Sequence, residues 1–304
     1  MADADSLDAV ILGAGPAGCS AGLWLSELGY RVALVEEQDH LLSRLVDLQL
    51  AQNWVLGEPE ASTADLARRY AAHVMAQPSV RCVLGDSLAQ VDRLESQGRW
   101  RLLTQAQRRL QSRVVLVCTG LRPRVFAACT GPVAPLDAQA LTRQRAHLRP
   151  GRFLLLGGGD NAVENADYLT NAGHQVTLWS RSALRANRHL IARLSARAGA
   201  LTLRVGQAMP DALVSTGADG PWQVRSAAHG DEAFDHVAVL FGNVPNDAPL
   251  HLLAQAAACD PNALPARGVF LAGDLSGRWH PCISTALADG VQAAKAAQRW
   301  LEKT

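Results

Sequence analysis

The chain has 304 residues, 48% of them apolar and 19% charged, and a net charge of +1. That length suffices for two domains with separate cores, and the near-neutral balance speaks against a partner of nucleic acid or anionic membrane surface. The longest apolar runs are strand-length, so no transmembrane helix is expected.

The N-terminal stretch "MADADSLDAV" lacks the basic segment and long apolar core of a signal peptide. Six cysteines (Cys19, Cys82, Cys118, Cys129, Cys259, Cys282) are scattered, with neither a CxxC pair nor metal-ligand spacing. In a chain of this size that pattern reads as reduced thiols, a cytoplasmic location and no metal site.

The first predicted elements are the apolar strand "DAVIL", a glycine turn "GAGPAG" and a helix. A glycine, Gly29, ends that helix and leads to the strand "RVALV". The second half begins again in the same way, with "RFLLL", the turn "GGGDNA", a helix, Gly173 and "QVTLW". At a fixed offset of 144 residues Gly13 matches Gly157, Gly15 matches Gly159 and Gly18 matches Ala162. Leu25 likewise matches Leu169, and Val32 matches Val176. The chain therefore carries two βαβ units of the GxGxx(G/A) kind.

The first glycine of such a unit permits the tight turn, and the second lets a pyrophosphate reach bare backbone. The third small residue lets the helix pack close to the strand. Pro16 and Ala17 in the first copy, and Asp160 and Asn161 in the second, open the helices whose N-termini would hold phosphates. Two dinucleotides are expected.

The end of the second strand in each copy distinguishes them. In the first copy it is Glu36, 21 residues beyond Gly15, where a carboxylate accepts hydrogen bonds from a ribose diol. In the second, position 180 (36 + 144) is Ser180, followed by Arg181 and Arg185. Guanidinium groups suit a 2′-phosphate that a carboxylate would repel, so the second site suits NADPH better than NADH. The alternative for the two arginines is solvated surface charge.

Near the C-terminus "GVFLAGD" is an apolar strand ending in Gly273 and Asp274, followed by an alanine-rich helix predicted to begin near Pro281. An aspartate there can bind a ribityl hydroxyl chain. A helix N-terminus aimed at a flavin pyrimidine would favour the reduced ring. With the first glycine unit, these features point to FAD.

In family order the sequence carries "GAGPAG", "QNWVLG", "CTGLRPR", "GGGDNAVE", "VTLWSRSALRA", "FGNVPN" and "GVFLAGD". On these motifs it resembles the low-molecular-weight thioredoxin reductases and the thioredoxin-reductase-like ferredoxin/flavodoxin–NADP reductases, over nearly its whole length. The resemblance implies an α/β fold of two Rossmann-like, three-layer domains. It gives a discontinuous FAD domain (1–120 and 244–304) interrupted by an NAD(P)H domain (121–243). It implies a homodimer in which nicotinamide and substrate take turns at the flavin. Gly13, Gly15, Gly18, Glu36, Asn53, Asp274 and the backbone around Cys282 and Ile283 would surround FAD. Gly157, Gly159, Ala162, Glu164, Ser180, Arg181 and Arg185 would hold NADPH.

The chain also departs from the family pattern. The segment "QALTRQRAHLRPG", where a thioredoxin reductase has its CxxC, contains no cysteine, and Cys129 lies 28 residues before Gly157 without a nearby partner. A dithiol relay needs two sulfurs within bonding reach, so the acceptor is expected to be reached without one, as in ferredoxin or flavodoxin reduction. The family's GGQ(L) is replaced by "LSRL", which places Arg44 beside the flavin or in solvent, and its RQA by "HPC". Cys282 at a helix N-terminus, with His280 two residues before it, is a candidate reactive pair; the alternative is that the thiol packs while its backbone N–H meets the flavin. Trp54 and Trp279 can line the flavin pocket, whereas Trp24, Trp179 and Cys19 are expected to pack, and His73, His189 and His251 to sit on helix faces. Two other functions stay open: a thiol or disulfide enzyme using Cys282 alone, and a flavin-binding sensor with a decayed NADPH site.

Overall fold

The computed structural model describes residues 6–48, 54–195, 200–218, 220–277 and 280–303. In chain order the first stretch comprises β1 (Ser6–Leu12), α1 (Pro16–Glu27), β2 (Val32–Val35), α2 (Ser43–Leu48), α3 (Thr63–Met75), β3 (Val80–Val83), β4 (Leu88–Leu94), β5 (Arg99–Thr104) and β6 (Arg109–Val117). The middle comprises β7 (Leu121–Pro123), β8 (Cys129–Thr130), α4 (Ala138–Gln144), β9 (Arg152–Leu156), α5 (Asp160–Asn171), β10 (Gln175–Ser180), α6 (Arg188–Ser195) and β11 (Leu201–Val205). It continues with β12 (Ala212–Ser215), β13 (Trp222–Arg225), β14 (Glu232–Phe234), β15 (His236–Val239) and β16 (Asn243–Pro245). The chain ends with α7 (Ala248–Ala256), β17 (Val269–Leu271) and α8 (Ile283–Leu301). Two compact units result, one of residues 1–121 and 245–304, the other of 122–244. No helix among the described residues is long and apolar enough to cross a membrane.

The first unit is built on a seven-stranded sheet of order β3-β2-β1-β6-β5-β4. β6 shares its second edge: antiparallel β5 takes Arg109–Ser112, and parallel β17 takes Val115–Val117. Leu12 pairs with Val35 and Val117, and Leu271 with Val117, so four strands end level with one another. Approaching those ends, Ala9–Leu12, Val32–Val35, Val114–Val117 and Val269–Leu271 are apolar at every position because both sheet faces are covered there. Ala9, Ile11, Val32, Leu34, Val114 and Leu116 face α1 and α8, whereas Val10, Leu12, Ala33, Val35, Val115 and Val117 join Trp100 and α7.

Helices α1 and α8 touch backbone to backbone. A Cβ on Gly290 would stand 2.3 Å from the Ala17 carbonyl oxygen, and Ser20 Oγ donates to Leu287 O at 2.8 Å. The long helix opens at Ile283, with Cys282 as its N-cap and Pro281 outside it, two residues later than expected.

The second unit repeats the parallel arrangement in β11-β10-β9-β15 and adds a sheet β14-β13-β12-β8. Phe153, Leu155 and Leu178 pack under α4, α5 and α6; Leu154, Leu156 and Trp179 pack against the added sheet. Trp179 is fully buried and donates its indole N–H to Ala208 O at 2.8 Å. Arg204 lies 4.6 Å above its ring. Trp24, expected to pack in the first unit, is instead 42% exposed, because α1 turns its small residues, not this indole, toward the sheet and α8. His73, His189 and His251 lie exposed on α3, α6 and α7.

Phe153 at the start of β9 lies between two histidines, with ring centroids 4.7 Å from His174 and 4.3 Å from His236. His174 is buried and its Nδ1 meets no hydrogen-bond partner among the described residues. Burial pushes both imidazole pKa values down. The folded protein therefore binds fewer protons than the unfolded chain, and this contribution, present above about pH 6.5, is lost as the pH falls below it. Thermal melting from about pH 8 to about pH 5 should show the difference between the wild type and His174→Asn narrowing toward the acid end.

Candidate functional site

At the end of β1 the chain turns at Gly13, whose φ of +97° is a left-handed conformation. A Cβ there would lie 2.6 Å from the Cys118 carbonyl oxygen, and one on Gly18 would lie 1.9 Å from Gly13 O. Neither backbone atom can move aside. Gly15, the N-cap of α1, differs: among the described residues its Cβ position meets nothing within 4 Å, and Pro16 follows at N1. The turn is thus closed behind and open in front, with helix N–H groups facing the opening.

Glu36 is 9% exposed and holds the turn from the side. Its Oε2 accepts from Ala14 N at 2.8 Å and its Oε1 from Gln38 N at 3.1 Å. Burial raises its pKa, and the two amides oppose that rise. Each carboxylate oxygen keeps a lone pair for a ligand hydroxyl. Leu42, at φ +59°, donates its N–H to Ala14 O at 2.9 Å and so fixes the next loop to the turn.

Gly273 and Asp274 follow β17 at the same level of the sheet. A Cβ on Gly273 would lie 2.9 Å from Ala17 Cβ, which sets the loop beside the start of α1. Asp274 is half-buried; burial raises its pKa, Arg44 lowers it and Asp289 raises it.

Cys282 caps α8 with its sulfur. Its Sγ accepts from Thr285 N at 3.5 Å, and its own N–H donates to Thr285 Oγ1 at 3.0 Å. The Thr285 hydroxyl, 3.4 Å from Sγ, and then the Thr285 N–H hold the thiol pKa below its usual value. The backbone N–H expected to meet a flavin is therefore engaged in the capping box, while Ile283 opens the helix at N1. His280 is exposed and meets this motif through its carbonyl, which accepts from Thr285 Oγ1 at 3.2 Å. Sequence reasoning missed Thr285; a hydroxyl three residues after a polar cap, the capping-box spacing, was the available signal. Cys19 and Cys118 are buried; Cys19 Sγ donates to Ala14 O at 3.3 Å. Burial pushes the thiol of Cys118 up to about 12.

The second turn has the same plan with different atoms. A Cβ on Gly157 would lie 2.4 Å from Leu240 O, and Gly159 again opens on nothing within 4 Å. Ala162 is fully buried beneath the turn. Ser180 sits against the middle glycine, where a Cβ on Gly158 would come within 2.5 Å of its Oγ. That hydroxyl donates to Ser182 O at 2.8 Å. Arg185 N donates to Gly158 O at 2.7 Å, and Asn187 N to Asp160 Oδ1 at 2.6 Å. The loop from 181 to 187 is thus fastened to the turn while Arg181 and Arg185 stay exposed. Ser182 and Asn187 were not foreseen, since their role lies in backbone contacts without a sequence signature. Asn161 is exposed, its carbonyl accepting from Asn165 Nδ2 at 2.7 Å. Glu164 is exposed one turn further along α5, on a cavity of about 330 Å³ with Arg145, Asp167, Tyr168 and Arg193.

Asn53 and Trp279 lie outside the described residues. Trp54 is 88% exposed and Leu56 fully so.

The profile of the pyridine nucleotide-disulphide oxidoreductase family matches residues 7–299. A thioredoxin reductase of Peptoclostridium litorale is 27% identical over 179 residues, 58% of this chain and 55% of the relative's length. Thioredoxin reductase of Lactococcus lactis has the same fold, with a TM-score of 0.75 at 21% identity, over 98% of this chain and 100% of that one. The bacillithiol disulfide reductase Bdr of Bacillus cereus aligns with a TM-score of 0.69 at 14% identity, over 97% and 99%.

Two measurements check this geometry. Gly18→Ala should lower the melting temperature sharply, whereas Gly15→Ala should cost only about 1 kcal/mol, the scale of a cap change, and chiefly reduce dinucleotide binding. In alkylation with iodoacetamide across neutral pH, Cys282 should react ahead of Cys82 and Cys129, whose thiol pKa values burial raises, and Thr285→Val should slow it.

Proposed function

Since the chain belongs to the pyridine nucleotide-disulphide oxidoreductase family, whose thioredoxin reductase-like members use FAD and NADPH, we propose that it is an FAD-dependent NADPH oxidoreductase. Its electrons go to an acceptor not linked through a protein dithiol, such as a ferredoxin or flavodoxin. The observation that carries this reading is the pair of open glycine turns with unlike edges, Glu36 at one and Ser180 with Arg181 and Arg185 at the other. The residues present fit the two groups: Gly15 and Gly159 leave bare backbone in front of each helix, and among the described residues a Cβ at either glycine would meet nothing within 4 Å.

In this reading the chemistry that bound FAD would supply is hydride acceptance from the nicotinamide and onward electron transfer. The chain supplies binding and orientation. Gly13 and Gly18 shape the first cradle, Glu36 takes the ribose diol, and Asp274 takes hydroxyls of the ribityl chain. Arg181 and Arg185, on a loop fastened by Arg185 N and Asn187 N, take the 2′-phosphate of NADPH as charge-assisted partners. No side-chain base is required for hydride transfer to the flavin. The six cysteines are free, and none is part of a CxxC pair, which supports an acceptor reached without a dithiol. A cytoplasmic homodimer completes the proposal.

A second reading has one observation behind it: Cys282, half-buried at the start of α8 with its thiol pKa held down, turning over a small-molecule disulfide. Cys282→Ser would then abolish disulfide turnover while reduction of the flavin by NADPH survives.

Anaerobic stopped-flow absorbance tests the main reading. NADPH should bleach the flavin faster than NADH, and ferredoxin or flavodoxin should restore the colour. Absence of bleaching with either nucleotide would favour a flavin-binding sensor instead. Replacing Arg181 and Arg185 together by alanine should raise the apparent KM for NADPH by about ten-fold and leave that for NADH within about two-fold.

A further inference from the structure

Strands β3 and β4 follow one another in the chain but stand at opposite ends of the order β3-β2-β1-β6-β5-β4, and residues 84–87 join them. The join is possible because β4, β5 and the start of β6 lie over one face of the parallel strands. Val91, Trp100, Leu102 and Leu110 share one cluster with Ala33, Val35 and Val83. The turn between β5 and β6 thereby reaches the strand ends beside Glu36.

Asp86 stands at that meeting point, 4% exposed. Its Oδ2 accepts from Thr104 Oγ1 at 2.6 Å, and its Oδ1 from Ala106 N at 3.1 Å and Ser87 N at 2.9 Å. Gln105 N adds a bond to Ser87 O at 2.9 Å. The backbone of the same loop holds the segment after β2. Asp86 N donates to Glu36 O at 3.0 Å, Gly85 N to Gln38 O at 2.8 Å, and Glu36 N to Val83 O at 2.9 Å. Gln38 N in turn donates to Glu36 Oε1 at 3.1 Å.

We propose that Asp86 is a positioning residue for the adenosine ribose of FAD, its carboxylate fixing the loop whose amides hold Glu36 in place. The inference rests on the FAD reading above. The amides of residues 85 and 86 are present with any side chain at 86; the carboxylate decides where they point. Gly85, left-handed at φ +66°, lets the loop swing once that clamp is gone. An asparagine at 86 has one acceptor oxygen in place of two, and its NH2 meets a donor. A buried N–H or hydroxyl then loses its partner. The loop relaxes, and Glu36 moves with the carbonyl that Asp86 N holds.

The test separates this role from a general loss of stability by asking which part of the ligand feels the change. Protein stripped of flavin is titrated with FAD and with an FAD analogue whose adenosine lacks the 2′ and 3′ hydroxyls, followed by flavin fluorescence. The proteins are the wild type, Asp86→Asn, Glu36→Gln and the Asp86→Asn/Glu36→Gln double variant. The wild type should bind FAD about ten-fold or more tighter than the analogue, the scale of a hydrogen bond to a charged group. Asp86→Asn should weaken FAD by about five-fold or more and the analogue by less than about two-fold. In the Glu36→Gln background Asp86→Asn should change the Kd for FAD by less than about two-fold. Equal weakening of both ligands, no weakening of either, or the same loss of FAD binding in both backgrounds overturns the proposal. A wild type that binds no FAD, or binds both ligands equally, overturns the reading beneath it instead. If Asp86→Asn does not fold, Thr104→Val, which removes the hydroxyl donor to Oδ2, takes its place and must show the same dependence on the ribose hydroxyls and on Glu36.

Discussion

The contact between the first glycine turn and the end of β6 sets the geometry of the whole first unit. Gly13 backs onto the carbonyl of Cys118, and Gly18 backs onto the carbonyl of Gly13. Three stretches of backbone meet there with no room for a methyl group. Because neither strand nor helix can retreat, α1 starts at a fixed height above the sheet, and its N-terminal N–H groups face one opening. The contacts of α8 on α1 at Gly290 and Ser20 carry that constraint to the C-terminal helix. Glu36, Asp274 and Cys282 are then collected at the same level from segments far apart in the chain.

The second unit solves the same steric problem with a different partner atom, Leu240 O. It then diverges where the ligands are expected to differ. In the first unit the residue after the turn glycine is Ala14, whose amide is taken by Glu36. In the second it is Gly158, because Ser180 occupies the space a Cβ would need. One substitution in the strand end thus changes both the chemistry at the edge and the side chain the turn tolerates. After Ser180 the loop folds back onto the turn through Arg185 N and Asn187 N, and the guanidinium groups of Arg181 and Arg185 stay exposed.

Much of this was legible from residue order. The two βαβ units, the unlike residues at positions 36 and 180 and the strand before Asp274 follow from apolar runs and glycine spacing, which are local properties. The family pattern extended that to the whole chain. What escaped were contacts whose partners are backbone atoms or lie far away in sequence. Thr285 and its sharing of the Cys282 cap, the fastening of the 181–187 loop, and the reach of Arg44 to Leu121 O belong to that class. Trp24 was misplaced for a related reason: its exposure depends on which face of α1 meets α8, and α1, with small or apolar residues on most sides, has no clear periodicity to tell.

By itself the amino-acid order determined that a phosphate cradle is built twice, and that one copy has an acid and the other arginines at its edge. Glycine's freedom at positive φ and the alternation of strand side chains act within a few residues, so they can be read directly. Only the tertiary structure decided which carboxylates share a neighbourhood, which thiols are sealed and which is held toward its charged form. Those properties depend on desolvation and on charges brought together by long-range packing, and no local pattern encodes them.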